Sequence, residues 1–300
     1  MYTNIKRYIK NTLRKWRWYQ WKYYRGNPVS MRSGIKLFLN PKCDSSRSLY
    51  SKRSSQPDLV RFFSRIISPD ATIIDIGANI GYLTTYFSSL VTKSGKVLAF
   101  EPDSRAFHFL EKNLIVNNCT NTQPYHIAVS DRVGTDQLYL SSNRTGNNVL
   151  YELNQDRLDE PGKRSSVSIK TTTLDQIFLS NIFTSRTILK IDVEGFEFKV
   201  LMGGQKLFET NLSLITVIEY CPQLMLQAGT SSQEFYSFCS RKQLAIFVLI
   251  DGGHLRKLDH HSLEELHQEL MSNPDNFLHK DLVLIHNGNL NYLHCRNLIT

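Results

Sequence analysis

The sequence predicts an α/β fold built around a mostly parallel sheet with helices on both faces. Three observations carry this. From about residue 55, strand-like and helical segments alternate along the chain. A glycine-bearing turn, Gly77-Ala78-Asn79-Ile80-Gly81, joins the first of these strands to the next helix. Three strands end in acidic residues or run into them, where an open parallel sheet has its ligand crevice.

The elements follow in order. Leu59, Phe62, Phe63 and Ile66 share one helical stripe, closed by Ser68-Pro69-Asp70. The spacing predicts a strand over 72–76, then a helix with Leu83, Phe87 and Leu90 on one face. A second strand over 97–100 leads into Glu101-Pro102-Asp103 and a helix carrying Phe107, Leu110 and Leu114; a third strand is expected over 125–129. Residues 131–173 interrupt the rhythm, with strands at 137–140 and 167–170 flanking a polar segment. The stretch 141–166 is read as a substrate lid, in which Asn143, Arg144, Asn147 and Asn148 either hydrogen-bond a sugar or stay solvated. Strands over 187–192, 214–220, 244–250 and 282–285 complete the sheet. Between them lie helices through Val200 and Leu201, near 232–240 and across Leu263, Leu266 and Leu270, with a turn at Asp251-Gly252-Gly253.

With 300 residues, 41% of them hydrophobic and 21% charged, the chain has ample material for a core, which argues against global disorder. Its longest apolar run, 244–250, is far short of the roughly 20 residues that cross a bilayer. The basic N-terminus lacks the apolar stretch of a secretory signal. Five cysteines without a C-x-x-C pair fit a reducing, cytoplasmic compartment and neither a disulfide framework nor structural zinc.

The net charge of +9 is uneven. Residues 1–43 hold eleven Lys or Arg and no acid, whereas the other 257 residues hold 25 basic and 27 acidic side chains. The main body therefore lacks the basic footprint of nucleic-acid binding, and no nucleic-acid partner is expected. All three tryptophans, Trp16, Trp18 and Trp21, lie in the head. Ile5, Tyr8, Ile9, Leu13 and Trp16 fall at helical spacing among cations, so residues 1–27 read as an amphipathic helix. Its readings are a helix on an anionic membrane face, a platform for single-stranded nucleic acid, or an extension that packs aromatic rings onto the domain. The chain divides into this extension, 1–54, and one domain, 55–290.

Asp75 ends the first strand, where it can fix the loop or accept a ligand ammonium, and the two glycines Gly77 and Gly81 let the chain turn tightly and bring backbone amides close to a ligand. Asn79 stands where a dinucleotide fingerprint has its second glycine, which disfavours pyrophosphate. Glu101, twenty residues beyond Gly81, is placed to accept hydrogen bonds from both hydroxyls of a ribose. On the fourth strand Lys190 and Asp192 share a face, with Glu194 just beyond, and Glu219 ends the fifth. Such a cluster is a functional candidate as general base or substrate clamp; a salt bridge of purely structural meaning is the other reading. A divalent metal held by Asp192 and Glu194 is a further reading, but no histidine is spaced to join them and no metal is assigned.

D-I-G-A-N-I-G at 75–81, A-F-E-P-D at 99–103, I-A-V-S-D at 127–131 and L-K-I-D-V-E-G at 189–195 together resemble the FkbM family of S-adenosylmethionine-dependent methyltransferases. The resemblance covers about residues 55–240 and leaves the basic head outside. It implies a class I methyltransferase (Rossmann-like) fold of seven strands, the last antiparallel, and O-methylation of a sugar, glycolipid or similar hydroxyl. It implies that Gly77, Ala78, Asn79 and Gly81 hold the methionine part of the cofactor, Glu101 its ribose, and Ala128 to Asp131 border its adenine. Asp192, Glu194 and Lys190 would face the transferred methyl. Two further functions stay open: a nicotinamide-dependent oxidoreductase, and an inactive cofactor-binding scaffold.

Overall fold

The computed structural model describes residues 12, 16, 18–21, 27–141, 148–151, 164–180, 186–272, 277–289 and 298–299. A short ribbon, β1 (Val29–Ser30) and β2 (Lys36–Leu37), precedes helices α1 (Asp44–Lys52) and α2 (Pro57–Ile66). Then come β3 (Thr72–Ile76), α3 (Tyr82–Leu90), β4 (Lys96–Phe100), α4 (Ser104–Val116) and β5 (Thr122–Tyr125). The interruption contains β6 (Ala128–Val129), β7 (Gly134–Leu140), β8 (Ser165–Thr172) and α5 (Leu174–Leu179). The chain continues through β9 (Thr187–Ile191), α6 (Glu197–Met202), α7 (Gln205–Thr210), β10 (Ile215–Tyr220), α8 (Pro222–Gln227) and α9 (Ser232–Arg241). Last are β11 (Leu244–Ile250), β12 (His254–Leu258), α10 (His260–Met271) and β13 (Lys280–His286).

The central sheet has eight strands in the order β12-β11-β13-β10-β9-β3-β4-β5. The run from β10 to β5 is parallel, and β13 inserts antiparallel between β10 and β11. The expected seven strands become eight because β12 folds back antiparallel on β11. Its exposed Arg256 and Lys257 conceal it in the sequence, and charges of this kind guard an edge strand against further pairing. The third strand also ends earlier than expected. β5 closes at Tyr125, and Ala128–Val129 leaves the central sheet to pair with β8 in a separate three-stranded sheet with β7. Pro124 is tolerated in β5 because that strand is at the edge.

Alternation on the strands sends side chains to two cores. Ile73, Val97 and Val217 pack with Phe62, Phe63 and Phe87 on one face, whereas Ile74, Leu98 and Leu189 pack with Leu207, Phe238 and Leu263 on the other. Leu37, Leu39 and Leu49 join the first core, so part of the segment before residue 55 lies on the domain. Trp18 joins it too, stacked on Trp21 at 4.9 Å and against Tyr50 at 5.5 Å, while Trp16 is 57% exposed. The stripe expected at Ile5, Tyr8, Ile9 and Leu13 lies outside the described residues. Among the described residues no helix is long and apolar enough to cross a membrane.

Candidate active site

Strand order reverses beside β3, whose neighbours are β4 and β9, and the crevice at a parallel sheet's carboxyl ends opens there. Two cavities meet at this point. One of about 270 Å³ is lined by Glu101, Ile127, Ala128, Leu138 and Leu150, and reaches Asp192, Glu194 and Glu219. The other, a cleft of about 640 Å³, is lined by the glycine turn, Lys190 and the segment before β3. Gly77, Asn79, Asp192, Ser45 and Gln56 face both.

The turn is shaped by contact. Gly77 has φ +76°, and a Cβ there would sit 1.8 Å from the Asp192 carbonyl oxygen, so only glycine lets β3 and β9 close together at their ends. Gly81, with φ +85°, lines neither cavity; it caps α3 and abuts Leu110. The turn's amides differ from the sequence expectation. Gly77 and Ala78 N–H donate to the Phe100 carbonyl at 3.0 and 3.1 Å, and Asn79 N–H donates to Glu101 Oε2 at 2.8 Å. These three donors are therefore engaged within the protein, an arrangement unlike the open amide cradle that a pyrophosphate needs.

Glu101 accepts a second amide, Asp103 N–H to Oε1, at 2.8 Å. Burial pushes its carboxyl up to about 7, against the pull of those two amides. Each oxygen keeps a lone pair, enough for two ribose hydroxyls. Asp103 caps α4 through Arg105 N–H and holds the Arg105 guanidinium in a salt bridge at 2.8 Å. It also accepts the Asn148 amide at 2.6 Å. Asn148, read from the sequence as either a sugar contact or a solvated residue, instead ties the far side of the insert to Asp103 beside the smaller cavity. Asn143, Arg144 and Asn147 lie outside the described residues.

Asp75 is fully buried and lines neither cavity. It accepts from Thr84 Oγ1 at 2.5 Å and pairs across β3 and β9 with Lys190, Nζ to Oδ1 3.4 Å. Lys190 also reaches Asp192 Oδ2 at 3.3 Å and donates to the Gly77 carbonyl at 3.2 Å. Burial pulls its ammonium down, yet Asp192 and Asp75 together outweigh this and hold it above the usual lysine range. Ala128 lines the smaller cavity, but Asp131 does not; its carboxylate is 3.6 Å from Arg132 and 3.9 Å from Lys199.

Asp192, Glu194 and Glu219 can bring one oxygen each within 4.8 Å of one another. Burial and the neighbouring carboxylates raise both Glu194 and Glu219 well above the carboxylate range. Such a trio takes up either a proton or a hard cation. Glu197, which sequence reasoning missed, is completely buried and accepts Val193 and Gly195 N–H at 2.9 and 3.2 Å, shaping the loop that presents Glu194. An acid two residues past a V-E-G turn is the only signal for it. Arg32, Ser45, Lys52 and Gln56 were missed as well, because they lie in a polar, serine-rich stretch that carries no chemical motif; the helical spacing of Ser45, Ser48 and Lys52 is the signal for it.

A model of the methyltransferase FkbM domain matches residues 75–243, which include every site residue expected from the sequence. The chain belongs to the FkbM methyltransferase family. Methyltransferase 1 of Beauveria bassiana is 28% identical over 166 residues, covering 51% of this chain and 65% of that protein. The 2-O-methyltransferase NoeI of Sinorhizobium fredii is 27% identical over 194 residues, covering 55% of this chain and 76% of NoeI. Among solved structures, an O-methyltransferase from Bacillus cereus in complex with S-adenosylhomocysteine aligns at 12% identity and a TM-score of 0.40, covering 77% of this chain and 80% of that one. S-adenosylmethionine is the cofactor of the FkbM family, and this site suits it: an apolar slot, a carboxylate for ribose, and acids for the cationic sulfonium end.

Proposed function

We propose that the chain transfers the methyl group of S-adenosylmethionine to a hydroxyl of a sugar, a glycolipid or a similar small acceptor. The observation that carries this reading is the meeting of Glu101, the tight turn at Gly77 and the acids Asp192 and Glu194 around one cavity. When bound, the cofactor supplies a methyl group activated by its sulfonium, which the acceptor oxygen takes up to leave S-adenosylhomocysteine.

The protein's tasks are to hold, to orient and to receive a proton. Glu101 accepts the ribose hydroxyls, Ile127, Ala128 and Leu138 flank the adenine, and Gly77, Ala78 and Asn79 border the methionine end. Asp192 takes the acceptor's proton, its carboxylate oriented by Lys190. Glu194, made more basic by burial, takes it on. Asp75 and Lys190 are positioning residues, acting through Asp192. Oxygen as the accepting atom is favoured by the name of one relative, a 2-O-methyltransferase. We take residues 55–290 as the methyltransferase domain and residues 1–27 as a contact to the anionic inner face of a membrane, with the enzyme in the cytoplasm. The charge of the head and the exposed rings of Trp16 and Tyr19 support that contact.

Calorimetry with S-adenosylhomocysteine tests the cofactor site, and tritium transfer from labelled S-adenosylmethionine into cell-envelope glycans tests the acceptor class. No binding heat up to about 1 mM ligand would sink the reading, since product complexes of working transferases are tighter than that.

A further inference from the structure

The cleft beside the glycine turn has two unlike walls. Its inner wall comes from the family domain and includes Lys190 and Asp192, whose charges answer one another. Its outer wall comes from residues 32–57, upstream of the stretch that the family model matches, and presents Arg32, Ser45, Ser48, Ser51, Lys52 and Gln56. Arg32 N–H donates to the Arg53 carbonyl at 2.8 Å, which brings Arg32 beside the end of α1, where Lys52 lies. Both cations are exposed, and neither has an acidic partner within salt-bridge distance among the described residues. Gln56, held at φ +44° ahead of Pro57, faces both cavities and so stands where the two compartments join.

The two joined cavities are therefore polarised, with surplus carboxylates in the smaller one, where Glu194 and Glu219 lie beyond Asp192, and uncompensated cations with hydroxyls on the outer wall of the cleft. A sulfonium cofactor carries net positive charge and belongs at the acid end. What the outer wall matches is a molecule with hydroxyls for the serines and a negative charge for Arg32 and Lys52.

We propose that this outer wall is the acceptor subsite, and that the acceptor is a hydroxylated molecule carrying an anionic group, a phosphate or a carboxylate, gripped by Arg32 and Lys52 while its hydroxyl reaches toward Asp192. The proposal rests on the methyl-transfer reading above and adds the charge class of the substrate. It also makes the segment before β3 the part that selects the acceptor, leaving the family domain to hold the cofactor.

The test is a calorimetric titration of inorganic phosphate into the full chain already loaded with S-adenosylhomocysteine, comparing wild type with the double variant Arg32→Gln, Lys52→Gln. The wild type should bind phosphate at low millimolar concentration, and the double variant about tenfold more weakly, as expected for loss of two charge-assisted contacts at a partly solvated site. Affinity for S-adenosylhomocysteine should stay within about twofold. Arg256→Gln, Lys257→Gln, which removes the same charge from the edge strand β12, should bind phosphate as the wild type does, separating a subsite from general basicity. Equal phosphate binding by wild type and the Arg32, Lys52 variant overturns the proposal, as does no binding by wild type. A loss of S-adenosylhomocysteine affinity in that variant also overturns it, because the cations would then hold the cofactor's own carboxylate. If the wild type fails to bind S-adenosylhomocysteine at all, the methyl-transfer reading falls first and takes this proposal with it.

Discussion

At the glycine-turn end of the smaller cavity, polar groups are already answered by the protein: Phe100 takes two amides and Glu101 takes two more. At the other end, Asp192, Glu194 and Glu219 crowd together, with Lys190 on Asp192 and His279 3.4 Å from Glu219. Asp281 faces Glu219 across β13 and adds a further acid. Groups satisfied by backbone keep their shape without a ligand, so the first end is a fixed mould. Buried like charges must gain a proton or a cation, so the second end is where charge changes hands.

The strongest way to break this comparison is Gly77→Ala. Its new methyl would have to displace the Asp192 carbonyl, at a backbone angle that alanine rarely adopts. Urea unfolding should show a loss of roughly 3 kcal/mol or more, and S-adenosylhomocysteine binding should vanish. A stable, binding Gly77→Ala variant would show that the turn is no mould.

Asp192→Asn addresses the acid end. Turnover should fall about 10²–10⁴-fold while S-adenosylhomocysteine affinity stays within about threefold, because the proton acceptor is lost and the cofactor contacts are not. Equal losses in both would move Asp192 from proton transfer to binding.

Glu101→Gln sharpens the contrast through pH. Ribose hydroxyls donate to the ionised carboxylate, so binding favours the deprotonated form of a group held at about 7. Wild-type affinity for S-adenosylhomocysteine should therefore rise as pH goes from about 6 to about 8, with protons released on binding. Glu101→Gln should bind about tenfold more weakly above neutrality and lose that dependence. A slope that survives the substitution would assign it to the acid end.

Much of this arrangement is legible from residue order alone. Strand ends carry the acids, alternation pairs Lys190 with Asp192, and the interval from Gly81 to Glu101 locates a buried carboxylate beside the glycine turn. What escapes is set by tertiary partners. Asp75 looks like a ligand group, yet register with Lys190 makes it a buried counter-charge. Asp131 sits in a motif but turns to Lys199, and Asn148 turns to Asp103. The chain's departure from the central sheet after Tyr125 is hidden because 127–129 remain strand-like in composition, while Ala128 and Val129 pair with β8 instead. On the outer wall of the larger cleft, Ser45, Ser48 and Lys52 share one face of α1, but this polar face carries no motif of its own, and only the packing of α1 and the turn at Arg53 and Gln56 bring it to the site.

The smallest effect concerns folding without ligand, and its sign is unusual. Burial raises Glu101 and Glu197 to about 7 from 4.5, and Asp281 to about 7 from 3.8. Between those limits the folded chain binds protons that the unfolded chain has released. Each group's contribution is complete at pH below its unfolded value and disappears as pH rises through 7, so the ligand-free chain should become less stable from about pH 5 to about pH 8. Urea midpoints at three pH values across that range would record the slope. Because Glu101 belongs to the mould and the other two to the acid end, Glu101→Gln should remove only its own share, with the rest persisting. Flat stability across this range would mean that water reaches these carboxylates, and the acid end would then have no need of a proton or a cation to settle its charge.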